Sequence, residues 1–163
     1  MILTDGDLDR RRFRWHADVL SCKAHWKARV CQGNRYNAVM ILALVTDLFF
    51  VSRIQSAAQK AGLVFESLDI YKTVSEFIEI LGDKKPSLIV LDLNSALPWP
   101  EWLPAVKADE QLSEIPWLAF GSHMNPRRLA AARHAGADKV VPKSEFDREL
   151  KAMIESITAD EHE

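Results

Sequence analysis

From Met40 onward the chain repeats one pattern five times: an apolar run of strand length, then a longer stretch with helical period. The strand-length runs are MILALV (40–45), LVFESL (63–68), SLIVLD (87–92), IPWLAF (115–120) and KVVP (139–142). Within 48–62, Phe50, Ile54, Ala57, Ala58 and Ala61 fall on one helical face, as do Val74, Phe77, Ile78 and Leu81 within 73–81. Gly62 and Gly82 are placed to stop these two helices. A weaker helix over 101–112 contains Pro104, which fits a first turn, where the missing N–H costs little. Asn125 can cap a helix opened by Pro126 and closed by Gly136. Ser144, with Asp147 three residues on, predicts a capping box for a last helix that carries Phe146, Leu150, Met153, Ile154 and Ile157.

Strands apolar on both faces belong in a parallel sheet covered by helices on both sides. Right-handed crossovers then give a doubly wound α/β sheet of order 2-1-3-4-5. Ligands of such sheets bind beyond the carboxyl ends of the strands, at the switch between strands 1 and 3. Topology therefore brings Asp47, which follows strand 1, beside Asp92, which ends strand 3. Two carboxylates there can share a Mg2+ ion, and Lys143 brings a compact positive charge toward the same edge. Together they can bind phosphate while Asp92 attacks it as a nucleophile. The alternative is structural: the two acids cap helices or turns, and Lys143 pairs with one of them.

Charge divides the chain near Met40. Residues 1–39 hold eight Lys/Arg against four Asp/Glu, a net of +4, whereas residues 40–163 carry a net of −6. The first segment interleaves arginines with aromatics, a pattern that can contact nucleic acid or an anionic membrane. His16, Cys22, His25 and Cys31 match no closed tetrahedral zinc spacing. A flexible arm without a core of its own is the expectation for 1–39. A second is that translation begins at Met40, which peptides found upstream of it by mass spectrometry would exclude. Residues 158–163 read as an acidic tail. Two cysteines are too few for a disulfide framework, so a cytoplasmic protein is expected. The formal net charge of −2 makes no strong case for nucleic acid or membrane as partners of the whole chain.

The segments ILALVTDLF, PSLIVLDLN, SEIPWLAFGS and AGADKVVPKS, in that order and spacing, resemble the receiver domain of two-component response regulators. The resemblance covers residues 40–157, about three quarters of the chain. It implies a flavodoxin-like (CheY-like) fold and a role in bacterial signal transduction and phosphorelay, as a module and not as an enzyme. Implied partners are a histidine kinase or another signalling protein, or a second copy in a homodimer. Receivers place two acids after strand 1, a phosphoryl-accepting Asp after strand 3, a Ser/Thr after strand 4 and a Lys after strand 5. The resemblance gives Asp92 the acceptor place, Lys143 the lysine place and Asp47 one acidic place, with a weak Mg2+ site at Asp47, Asp92 and Asn94.

Departures from the receiver pattern are as informative as the matches. Thr46 stands in the second acidic place, Gly121 in the place of the hydroxyl, with Ser122 one residue later, and Val140 in the place of the switch aromatic. Ser122 substitutes for the hydroxyl only if strand 4 ends with a shift or bulge. Ser144 follows Lys143 where receivers have proline, so the bond between them should be trans. The pattern is that of an atypical receiver, or pseudo-receiver, which keeps the fold for protein contacts without a phosphorylation switch. The alternatives are a phosphorylatable single-domain response regulator with Asp92 as acceptor, and a flavodoxin-like domain that binds flavin phosphate. Against the latter, the loop TDLFFVS has no glycine with which to cradle a phosphate.

Receivers usually signal through helix 4, strand 5 and helix 5, where this chain offers Arg127, Arg128, Arg133, His134 and Val140. No DNA-binding segment follows the last helix, so the domain is expected to act alone, as a dimer or through a larger partner. His123 reads as an exposed loop residue beside the pocket. Trp99 and Trp102, among three prolines, read either as a lid or partner-binding patch or as cover for the core edge.

Overall fold

The computed structural model describes residues 39–70 and 72–159. The readings made for residues 1–38, including the arm, the zinc ligands and the alternative start, lie outside these residues. Five parallel strands, β1 (Met40–Leu44), β2 (Val64–Ser67), β3 (Leu88–Asp92), β4 (Trp117–Gly121) and β5 (Lys139–Pro142), form one sheet of order β2-β1-β3-β4-β5. The connections are α1 (Leu48–Lys60), α2 (Val74–Lys84), α3 (Trp99–Ala108) and α4 (Pro126–His134), and α5 (Phe146–Ala159) closes the domain. No described helix is long and apolar enough to cross a membrane.

Alternation along the strands divides the core into two layers. Ile41, Ala43, Val45, Leu88, Val90, Leu118 and Phe120 face α1 and α5, where Phe50, Ile54, Phe146, Leu150 and Ile154 cover them. Leu42, Leu44, Ile89, Leu91, Leu93, Trp117 and Ala119 face α2, α3 and α4. All five residues of β3 are buried, which is why PSLIVLD reads as an unbroken apolar run and why Asp92 emerges only at the edge.

Several element ends differ from expectation, each for a local reason. Gly82 does not stop α2; the helix continues to Lys84 and ends on Lys85 in the left-handed region at φ 46°. Gly62 does provide a left-handed turn, φ 72°, after α1. Helix α3 starts at Trp99, so Pro100 takes the first turn and Pro104 lies inside the helix. The capping box expected at Ser144 and Asp147 is absent: Lys143–Glu145 form a 3-10 turn that runs straight into α5, and Asp147 pairs with Arg53 of α1. Helix α5 continues through Thr158 and Ala159, two residues beyond the expected boundary.

Trp99 and Trp102 do not form an exposed lid or partner patch. Both are buried in α3, because the helix turns them inward onto the sheet. Trp102 stacks on Phe77 of α2 with ring centroids 4.2 Å apart, and its Nε1 donates to the Lys72 carbonyl at 3.1 Å. An aromatic pair of this kind adds about 0.5–1.5 kcal/mol beyond its area burial.

Candidate functional site at the carboxyl edge of the sheet

The carboxyl ends of β1, β3, β4 and β5 bring together most of the residues singled out in the sequence. Asp92 closes β3 opposite Phe120 and is only 3% exposed. Its Oδ1 accepts from the Asn94 backbone N–H at 2.8 Å, forming an Asx turn that starts the loop to α3. Burial pushes the Asp92 carboxyl above its ordinary range; the Asn94 amide and the Lys143 charge draw it back, Asp47 adds to the rise, and Arg128 opposes it. Asp47, Lys143 and Arg128 thus all act electrostatically on this one group.

Asp47 is exposed and is the N-cap of α1, with Oδ1 accepting from Phe49 N–H at 3.0 Å. Both acids therefore do the capping that the structural alternative assigned to them. That alternative's second half fails: no carboxylate among the described residues lies within 4.0 Å of Lys143 Nζ. Lys143 Nζ sits 4.7 Å from the centroid of the Phe50 ring, a cation–π contact that draws the lysine toward α1. The Lys143–Ser144 bond is trans, as the missing proline implies.

Gly121, Ser122 and Val140 stand where the sequence resemblance puts the receiver hydroxyl and aromatic. Strands β3, β4 and β5 pair without a shift through Asp92, Phe120 and Gly121, so no bulge carries Ser122 into the hydroxyl place. Ser122 Oγ instead accepts from Met124 N–H at 3.2 Å within its own loop. A Cβ added at Gly121 would lie 3.3 Å from both Cβ and Cδ1 of Leu93 and 3.5 Å from Cδ2 of Leu129. A side chain at 121 would therefore be crowded, and Leu93 would have to give by a few tenths of an ångström. Val140 is half-buried against the α2–α4 layer.

Mg2+ is the ion the receiver pattern implies, and Thr46 offers it no carboxylate. One oxygen of each acid accepts no hydrogen bond among the described residues. Asp47, Asp92 and Asn94 are the residues that would hold such an ion, which would keep most of its waters. When bound, such an ion would neutralise oxygens of a phosphoryl group. No group of three or more His, Cys, Asp or Glu among the described residues is arranged to hold a metal.

Some of the residues at or near this edge are not evident from sequence. Arg128, expected on the outer face of α4, reaches back so that Nη1 donates to the Leu93 carbonyl, directly after Asp92. Its position in the first turn of α4, at the carboxyl edge, was the available signal. Arg133 turns the other way, its Nη2 donating to the Val140 carbonyl at 3.3 Å. The expected basic face is thus divided, and Arg127 and His134 alone on α4 extend without such bonds among the described residues. Ser95 is 4% exposed, and its Oγ has no hydrogen-bond partner among the described residues. His123 is exposed, as expected. Around the same edge the first turn of α1 exposes Leu48 and Phe49 and the loops expose Ile70 and Met124, each more than 60% accessible.

No protein-family model matches this chain, and no curated protein matches it. Solved structures do. It is similar to the chemotaxis response regulator CheY4 of Vibrio cholerae, with a TM-score of 0.59 and 17% identity over 74% of this chain and 99% of that one. The signal receiver domain of a DNA-binding response regulator from Colwellia psychrerythraea 34H gives a TM-score of 0.61 at 14% identity, over 74% and 98%. The phosphorylated cyanobacterial phytochrome response regulator RcpA gives 0.55 at 20%, over 73% and 90%. The domain has the fold of response-regulator receiver domains, the CheY-like form of the flavodoxin-like architecture. At these identities the likeness establishes the fold.

Proposed function

We propose that the domain is a signal-transduction module of the pseudo-receiver type, which works through protein contacts and not through phosphorylation of Asp92. The observation that carries this is Gly121, which has no hydroxyl and is crowded by Leu93, where a receiver needs a hydroxyl that can turn toward the phosphoryl group. The engaged hydroxyl of Ser122 and the aliphatic Val140 support it. The exposed Leu48, Phe49, Ile70 and Met124 support a contact role, since apolar side chains gathered at one edge favour association. The partner is a histidine kinase or another signalling protein, or a second copy of the chain. Asp92 is then a buried Asx-turn residue left in an acceptor's position.

A phosphorylatable regulator is the second reading, favoured by the charges of Asp47, Lys143 and Arg128 that converge on Asp92. Flavin phosphate binding is disfavoured, because the Asp47 carboxylate already takes the N-terminus of α1, where a phosphate would sit. Beryllofluoride, a mimic of the aspartyl phosphate, separates the first two. With Mg2+ and beryllofluoride added to the full chain, the amide resonances of Arg127–His134 and Lys139–Val141 should stay unchanged. Shifts in both segments that disappear in Asp92→Asn would favour the phosphorylatable regulator.

A further inference from the structure

Helix α4 has the sequence PRRLAAARH, with three arginines, one histidine and no acid. Leu129 and Ala132 point into the core, which leaves the charged residues on its outer surfaces. Arg53, Lys84, Lys107, Arg148 and Lys151 each have an acidic partner. Among the described residues, none of the α4 arginines has one. Yet residues 40–163 carry a net of −6.

A groove of about 570 Å3 runs between α3 and α4. Its apolar lining comes from Trp99, Pro100 and Ala131, its polar lining from Arg127, Arg128 and His134, and no carboxylate lines it. Arg128 is anchored at one end by the Leu93 carbonyl, whereas Arg133 is turned out of the groove toward β5. The anchored guanidinium is held in place before any ligand arrives, which lowers the ordering cost of pairing with a carboxylate.

Resting on the proposal that the domain works through protein contacts, we infer that the α3–α4 groove binds an acidic segment of a partner protein. In that segment carboxylates pair with Arg127, Arg128 and His134, and intervening apolar side chains lie on Pro100 and Ala131. Arginine and carboxylate form forked, charge-assisted hydrogen bonds well suited to this recognition. A nucleic acid fits less well. Its affinity rests on neutralising many phosphates in a row, and here two arginines and a histidine stand on a domain of net negative charge. The apolar lining would also go unused.

The test titrates the full chain into a fluorescein-labelled peptide of alternating glutamate and leucine and follows anisotropy. Saturable binding is expected, weakened by salt and absent for the matching glutamine–leucine peptide. Arg127→Ala and His134→Ala together should weaken it about tenfold or more, and Arg133→Ala should leave it within about twofold. Arg127 and His134 are exposed, so their removal leaves the core intact. Several outcomes overturn the inference: no saturable binding, equal binding of the glutamine peptide, loss with Arg133→Ala only, or survival in the double variant. Binding of an oligothymidylate tighter than the peptide, with the same dependence on Arg127, overturns it in favour of nucleic acid. Failure here leaves the pseudo-receiver reading intact, since that is judged at Asp92 by the beryllofluoride experiment.

Discussion

Placing a hydroxyl at position 121 is the simplest way to supply the group the receiver pattern has there, and the structure makes Gly121→Ser a destabilising change. The new Cβ would meet Leu93 Cβ and Cδ1 at 3.3 Å and Leu129 Cδ2 at 3.5 Å. Leu93 Cδ1 can rotate away, but Leu93 Cβ cannot, because the Leu93 N–H is held by the Phe120 carbonyl at 2.9 Å. Overpacking of this kind costs about 1–3 kcal/mol. Replacing glycine lowers the entropy of the unfolded chain and returns about 0.4–1 kcal/mol. The net loss should be about 1–2 kcal/mol, which for a chain of this size is a fall in Tm of about 3–6 °C. Urea denaturation of Gly121→Ser, Leu93→Ala and the double variant measures the coupling directly. Leu93→Ala relieves one of the two closest contacts, so the cost of serine should shrink by about 0.5–1 kcal/mol in that background. A serine variant as stable as the parent, or strictly additive effects, would refute the crowding at 121 and with it the main support for the pseudo-receiver reading.

Asp92→Asn should alter the dependence of stability on pH. Burial raises the folded-state carboxyl above its unfolded value, so the aspartate's contribution is fully present below about pH 3.9 and is lost as pH rises through the folded value. The variant should gain stability relative to the parent between pH 3.5 and pH 7; a constant difference across that range in thermal melts would contradict this. Lys107→Met should cost about 2–3 kcal/mol in urea, because Lys107 Nζ donates to the carbonyls of Ser113 and Ile115 and to Asp138 Oδ2 within 3.0 Å. Ser95→Ala should be neutral or stabilise by up to about 1 kcal/mol, since its buried hydroxyl has no partner to lose.

The sheet and its order were legible because strand burial is written directly as apolar runs, and β3 is the clearest case. Helix ends were less so. Gly82 was a plausible stop, but Ile78 and Leu81 pack against the α2–α4 layer and α2 continues one turn farther, placing Lys85 in the left-handed turn. Pro104 suits a first turn only if the helix starts at 101; burial of Trp99 extends α3 backward over Trp99 and Pro100. At the candidate site, topology alone gathers Asp47, Asp92 and Lys143 at one edge. The reach of long side chains is another matter. Arg128 bonding the Leu93 carbonyl, Lys107 bridging two carbonyls and Asp138, and Lys143 lying over Phe50 each depend on tertiary neighbours that spacing does not specify. The crowding at Gly121 was equally hidden, since it is set by Leu93 and Leu129 from two other segments.

Chemical phosphorylation tests the proposed pseudo-receiver reading most directly. The full chain is incubated with Mg2+ and acetyl phosphate, and the intact protein is weighed. The expected result is an unchanged mass, with the parent and Asp92→Asn alike. A parent carrying one added phosphoryl group that Asp92→Asn lacks would contradict the pseudo-receiver reading and return Asp92 to service as an acceptor.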